Sequence, residues 1–256
     1  MAQNFRQAEM LVLARERGRL VVEELAEHFD VTAQTIRRDL NELCDAGRLT
    51  RVYGGAMLAS GVANIGYEER RALASAQKEA IGRACAAAIP AEASVFLNIG
   101  TTTEAVARAL LDHRNLMAVT NNLNVATILA GNASAEVIVA GGVLRRADGG
   151  LVGEMTAEMV RHFKVDVAVI GASALDDAGD LLDFDLREVR ISQEIIRNAR
   201  RVYLVADHGK FARTAPVRIA SLADVDRFFT DAPPPRPVAE LCAGWNTQVV
   251  VAPRAA

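Results

Sequence analysis

Ser94-Val95-Phe96-Leu97-Asn98-Ile99-Gly100-Thr101-Thr102-Thr103 leads directly into Glu104–Leu111. A short, largely apolar run, a glycine and a helical pattern follow one another, which predicts a buried strand, a tight turn and a helix. Gly100 lets the backbone approach a ligand closely. Thr101, Thr102 and Thr103 bring hydroxyls and unpaired N–H groups to the helix start, where orphan donors and the dipole attract phosphate. An ordinary cap on a strand-to-helix turn fits the same residues.

Six further runs share the strand character: Leu116–Thr120, Glu136–Ala140, Val165–Ile170, Val202–Ala206, Val225–Thr230 and Gln248–Ala252, with helical patterns between most of them. Continuous apolar strands alternating with helices predict an α/β domain with a buried, mostly parallel sheet. Ligands of open α/β sheets gather at the carboxyl ends of the strands. Two of these ends read Val119-Thr120-Asn121-Asn122 and Val139-Ala140-Gly141-Gly142, the latter followed by Arg145 and Arg146. Arg145 and Lys210 can each supply a cation for phosphate, and Asp183, Asp185 or Asp207 can accept from hydroxyls. Helix caps and surface ion pairs account for these residues equally well.

Ahead of this domain the texture is different. Arg6 to Arg17 predicts a helix ended by Gly18, Glu23 to Phe29 a second, and Thr32 caps a third that runs to about Ala46, with Gly47 to terminate it. At 100° per residue the third helix gathers Ile36, Leu40 and Leu43 on one face and Gln34, Arg37, Arg38 and Asn41 on the other, with Thr35 beside them. The polar face holds residue types that read base edges and grip phosphates in a major groove, and helix, tight turn, helix is the helix-turn-helix arrangement. Around Gly54-Gly55, two extended runs predict a hairpin wing on which Arg48 and Arg51 add phosphate contacts. Thr32, Gln34, Thr35, Arg37, Arg38, Asn41, Arg48 and Arg51 are therefore the candidate DNA-binding residues. A solvated amphipathic helix in a small bundle is the bland alternative. The expected organisation is a winged helix-turn-helix over residues 1–57, a linker over 58–74 and an α/β sensor domain over 75–256.

Composition narrows the classes further. The formal net charge of −3 gives no overall basic signature, so DNA binding must come from a local patch. Cys44, Cys85 and Cys242 are odd in number and far apart, which argues against a disulfide framework or a zinc site and suits a reducing cytoplasm. The first residues lack the apolar core of a signal peptide, and no apolar run reaches membrane-spanning length. No Walker-type loop, H-E-x-x-H or G-x-S-x-G is present, and no metal, cofactor or catalytic residue is singled out.

Thr35-Ile36-Arg37-Arg38-Asp39-Leu40-Asn41-Glu42-Leu43, with Arg51-Val52-Tyr53-Gly54-Gly55-Ala56 after it, resembles the signature of the DeoR family of bacterial repressors. The later stretches are similar to that family's sensor domain, a relative of the sugar-phosphate isomerases: Ile99-Gly100-Thr101-Thr102, Val119-Thr120-Asn121-Asn122, Ala140-Gly141-Gly142, Asp148-Gly149-Gly150, Glu188-Val189-Arg190 and Lys210-Phe211. The resemblance implies a repressor of double-stranded operator DNA, released by glycerol 3-phosphate or a sugar phosphate, and the usual pairing of recognition helices across half-sites predicts a homo-oligomer. It also implies that Gly100, Thr101, Thr102, Asn121, Asn122, Gly141, Arg145 and Lys210 sit in or near the pocket; with Thr103 and Asp185 they form the candidate effector-binding set. Where the family usually has Asp, this chain has Asn98; an amide lacks the carboxylate's charge, which leaves hydroxyl or amine recognition, and with it the exact effector, open. The competing class is an isomerase- or deaminase-like enzyme with an accessory N-terminal domain.

Overall fold

The computed structural model describes residues 2–17, 19–45, 48–52, 54–58 and 67–253. The N-terminal unit runs α1 (Ala2–Arg17), β1 (Arg19–Val21), α2 (Val22–His28), α3 (Ala33–Asp45), β2 (Leu49–Val52) and β3 (Gly55–Leu58). Its core is one apolar cluster in which Met10 and Leu13 of α1 meet Leu25 of α2, and Ile36, Leu40 and Leu43 of α3. The predicted apolar face of α3 is thus the buried one. Thr32 caps α3 as expected, its hydroxyl accepting from the Thr35 amide at 3.3 Å. Gly18, Ala46 and Gly47, to which the helix ends were assigned, lie outside the described residues.

The wing is a three-stranded antiparallel sheet in the order β1-β3-β2. Its first strand was not anticipated, because a three-residue run cannot show alternation. The glycine pair has two separate reasons. Gly54 turns with φ +76°, and a Cβ on Gly55 would lie 1.7 Å from the Leu20 carbonyl oxygen of β1.

The stretch expected to be linker is not all connector: α4 (Tyr67–Ala72) forms within it, followed by α5 (Ser75–Ala87). The rest of the chain runs β4 (Ser94–Leu97), α6 (Thr101–Ala109), β5 (Met117–Thr120), α7 (Leu123–Leu129), β6 (Glu136–Val139), β7 (Val143–Arg145), β8 (Gly150–Val152) and α8 (Glu154–Arg161). It continues through β9 (Val165–Ile170), β10 (Ala174–Leu175), β11 (Asp180–Asp183), α9 (Leu186–Arg197), β12 (Ala199–Val205), β13 (Val217–Ser221), β14 (Arg227–Thr230), α10 (Arg236–Trp245) and β15 (Gln248–Val251).

All seven strand runs predicted from the sequence join one parallel sheet, ordered β15-β14-β12-β9-β4-β5-β6. Successive side chains of a strand point to opposite faces, and both faces are apolar. Phe96, Ala168 and Leu204 pack with α8, α9 and α10 on one side. Val95, Leu97, Val167, Val169 and Val205 pack with α5, α6 and α7 on the other. The chain lays down β4, β5 and β6 in one direction, then returns to place β9 on the other side of β4. The topological switch point therefore lies between β4 and β9, and a crevice for ligands is expected at their carboxyl ends.

Candidate functional site

The α3 face opposite the core is open to solvent: Gln34, Arg37, Arg38 and Asn41 are exposed, as are Thr32, Arg48 and Arg51, and Thr35 is half-buried. Arg37 and Arg38 reach Glu23 at 3.8 Å and Glu42 at 3.3 Å. Exposed pairs of this kind are worth little, so both guanidinium groups can be redirected to phosphates or base edges at small cost. Asp39, next to them in sequence, is different. It is 1% exposed and paired with Arg6, tying α3 to α1 and fixing how the open face is presented.

The second site is the crevice at the switch point. Ile99, Gly100 and Thr101 to Thr103 line it from the end of β4, Gly171, Ala172 and Ser173 from the end of β9, and Val205 and Lys210 from the end of β12. Asp183, Glu188 and Arg70 complete it around about 390 Å³ of empty space, part of it open to solvent. Gly100 has φ +150°, a conformation open essentially to glycine alone, and it offers no side chain to cap α6. The first amides of α6 are left facing the cleft. The Thr103 hydroxyl is already used, donating to the carbonyls of Asn98 at 2.8 Å and Gly100 at 2.6 Å.

Lys210 is buried, and among the described residues it has no ion pair. Burial, reinforced by the neighbouring Arg213 charge, brings its amine down to about 7. The buried Asp207 carboxylate offsets this only in part, so an ammonium held there gains from a further anion. Across the cleft, Glu188 is pushed up to about 7, by burial first and then by the Asp183 charge. Ser173 donates to Asp183 at 2.9 Å. The lining thus brings the start of α6 and cations together with oxygen acceptors for hydroxyls.

Five of the expected effector residues lie outside this lining, each for a visible reason. Asn121 and Asn122 are fully buried. Asn122 caps α7 by accepting from the Asn124 amide at 2.8 Å, and Asn121 donates to the Leu151 carbonyl at 3.3 Å. Gly141 is exposed, and its carbonyl accepts from Thr156. Arg145 is held by Asp148 in two bonds of 2.8 and 2.6 Å and also pairs with Asp185 and Glu188. Desolvation opposes its charge, but hydrogen bonds and charges from Asp148 and Glu188 outweigh that and raise its pKa. Asp185 caps α9 and is lowered to about 2, chiefly by its hydrogen bond with Arg187.

Asn98 also faces inward. Its Oδ1 accepts from the Ile99 amide at 2.7 Å, which fixes the amide orientation and leaves Nδ2 to donate to Ser192 Oγ at 2.7 Å. Ser192 in turn donates to the Glu188 carbonyl at 3.1 Å. Asn98 thus links β4 to α9 through a hydrogen-bond chain.

Arg70 and Ser173 were not among the expected set. No local signal marks either residue, because the cleft is assembled from segments that only the sheet order brings together.

Residues 6–62 match the DeoR-like helix-turn-helix domain and residues 73–232 the DeoR C terminal sensor domain. The chain belongs to the DeoR family. Over 249 residues it is 45% identical to the glycerol-3-phosphate regulon repressor of Escherichia coli (strain K12), covering 97% of this chain and 99% of that one. It is 42% identical over 232 residues to the HTH-type transcriptional repressor CsqR of the same organism, covering 91% and 89%. Ribose 5 phosphate isomerase A from Neisseria gonorrhoeae aligns at 14% identity with TM-score 0.38 over 53% of each chain, a likeness too loose to bear on function. This DeoR-family chain is a transcriptional repressor rather than an enzyme. No helix among its described residues is long and apolar enough to cross a membrane.

Proposed function

We propose that the chain is an operator-binding repressor, homo-oligomeric through pairing of recognition helices across half-sites, whose affinity for DNA falls when the cleft takes up a phosphorylated polyol or sugar. Glycerol 3-phosphate is the first candidate, supported by the regulon in the name of its relatives. The observation that carries this reading is the buried Lys210 ammonium sharing a cleft with the uncapped start of α6. A phosphate would accept from the amides of Thr101, Thr102 and Thr103 and neutralise Lys210, while Ser173, Asp183 and Glu188 would receive hydroxyls.

The exposed α3 face supports DNA reading. Gln34, Arg37, Arg38 and Asn41 would enter the major groove, and Thr32, Thr35, Arg48 and Arg51 would hold phosphates. Release follows from linkage: an effector that binds the DNA-incompetent arrangement more tightly lowers operator affinity, and a coupling of about 1–3 kcal/mol is enough for useful induction.

The test is a titration of the purified chain on the DNA upstream of its own gene, with and without glycerol 3-phosphate. Tight, salt-sensitive binding that the compound relieves is the expected result. Tight binding that ignores it keeps the repressor and moves the effector to another sugar phosphate. Absence of specific binding on that region and on genomic fragments would refute operator recognition.

A further inference from the structure

Helix α4 lies in the stretch that joins the two matched domains, yet its Tyr67 and Arg70 side chains bond residues of the sensor domain. At its start, the Tyr67 hydroxyl donates to both carboxylate oxygens of Glu104 at 3.0 Å and accepts from Asn124 at 2.9 Å. At its end, Lys78 of α5 donates to the carbonyls of Arg70 and Leu73. Glu104 sits on α6, the helix whose first turn lines the cleft. Between these two clamps, Arg70 faces the cleft itself.

Arg70 is poorly satisfied where it stands. Among the described residues its guanidinium makes one bond, of 3.4 Å to Asp148, a carboxylate that Arg145 already holds at 2.6 and 2.8 Å. Its Nε is buried without a hydrogen-bond partner. A charged donor left unmatched in a low-dielectric site is unfavourable, whereas a bidentate bond to a phosphate is among the strongest contacts arginine makes. Asp148 has little to lose when Arg70 turns away, because Arg145 remains.

We propose that Arg70 is the residue through which the effector acts on the DNA-binding half: it leaves Asp148 to bind the phosphate of the ligand and draws α4 with it. The proposal rests on the cleft being the effector site. Arg70 then has two roles that can be separated, affinity for the effector and transmission along the chain. Tyr67, outside the cleft lining, would serve only the second, by holding the start of α4 on α6.

The experiment uses the full-length chain and its operator. The probe is whichever of glycerol 3-phosphate, fructose 6-phosphate and ribose 5-phosphate most weakens operator binding by the unsubstituted chain. Effector affinity is measured by calorimetry, and operator affinity with and without saturating effector. Arg70→Ala should bind operator normally, bind effector about 10- to 100-fold more weakly, and show no release at saturation. Arg70→Lys, which keeps the charge without the planar fork, should recover part of the affinity and less of the release. Tyr67→Phe should keep effector affinity within about threefold and lose part of the maximal release.

Full release by saturated Arg70→Ala overturns the proposal, as does Tyr67→Phe with unaltered maximal release. Thr102→Asp separates the two failures. If it abolishes effector binding while Arg70→Ala still releases fully, only the role of Arg70 is wrong. If it binds effector normally, or if none of the three probes weakens operator binding by the unsubstituted chain, the cleft reading fails and this proposal with it.

Discussion

Arg38 on α3 and Arg70 at the cleft each reach a carboxylate at almost the same distance, 3.3 Å to Glu42 and 3.4 Å to Asp148. Their surroundings are opposite. The Arg38 side chain is 74% exposed, that of Arg70 only 16%, and Asp148 is 4% exposed. In high dielectric and salt the first pair is screened almost to nothing, while the second sits where one unmatched charge matters greatly. Equal distances therefore carry unequal energies. The N-terminal face should show weak internal pairing and strong salt dependence towards DNA. The cleft should be insensitive to salt and sensitive to single charges.

The comparison is tested most strongly by Thr102→Asp, which would set a carboxylate against the bound phosphate. Unit charges 4 Å apart at an effective dielectric of about 20 repel by about 4 kcal/mol. Effector affinity should fall by about a thousandfold while operator binding stays intact. Normal induction in this variant would remove phosphate from the start of α6. Next is Arg145→Met, which leaves Asp148, Asp185 and Glu188 without their shared partner. A loss of about 3 kcal/mol in urea unfolding is expected; a loss below about 1 kcal/mol would show that the cluster is as well solvated as the surface pairs.

Arg38→Ala tests the other side of the contrast. Operator affinity should drop by about 1–3 kcal/mol, the salt slope should flatten by about one if Arg38 holds a phosphate, and effector affinity should not move. Unchanged operator affinity would place the reading face elsewhere.

A pH series follows. Lys210, brought down to about 7 mainly by burial, is protonated below that pH and neutral above it. Effector affinity should fall as pH rises above 7, towards tenfold per unit, until the pKa of the complex is passed. Stability of the effector-free chain has the opposite sign. Between about 7 and the ordinary lysine value of 10.5 the unfolded chain binds the extra proton, so this group makes stability rise with pH. A flat calorimetric profile between pH 6.5 and 9 would take Lys210 out of the phosphate contact.

The smallest effect is expected from Asn98→Asp. The Ile99 amide keeps its acceptor, and Ser192 must turn to donate to the new carboxylate, giving up the Glu188 carbonyl. A change of about 1 kcal/mol in stability and no change of effector preference should follow. A switch of preferred sugar phosphate would put this side chain in the cleft after all.

How much of this was legible in the sequence differs between the regions for physical reasons. Ile36, Leu40 and Leu43 recur at helical spacing, so one helix is enough to reveal both the core face and the open face. The seven sheet strands were equally visible, because strands buried on both sides are continuous apolar runs. Gly100 to Thr103 could be placed at the cleft because turn, helix start and strand end are contiguous. Arg145 shows where local reading stops. Its charge suits phosphate, but Asp185 and Glu188 arrive from about forty residues away and engage it. Arg70 was missed for the complementary reason: its six-residue helix is too short and too polar to show a period, and its value depends on a carboxylate already taken by another arginine.

The strand order also bears on how the molecule comes into being. In the N-terminal unit the widest sheet pairing joins Arg19 to Met57, whereas the central parallel pair of the larger sheet joins Val95 to Val167, and the cleft needs Lys210 as well. Contacts between near neighbours in the chain form fast, and parallel pairings across long loops form late. On a ribosome, every residue of the reading head has emerged long before the cleft can close. For that interval the growing chain carries a folded N-terminal unit and no cleft.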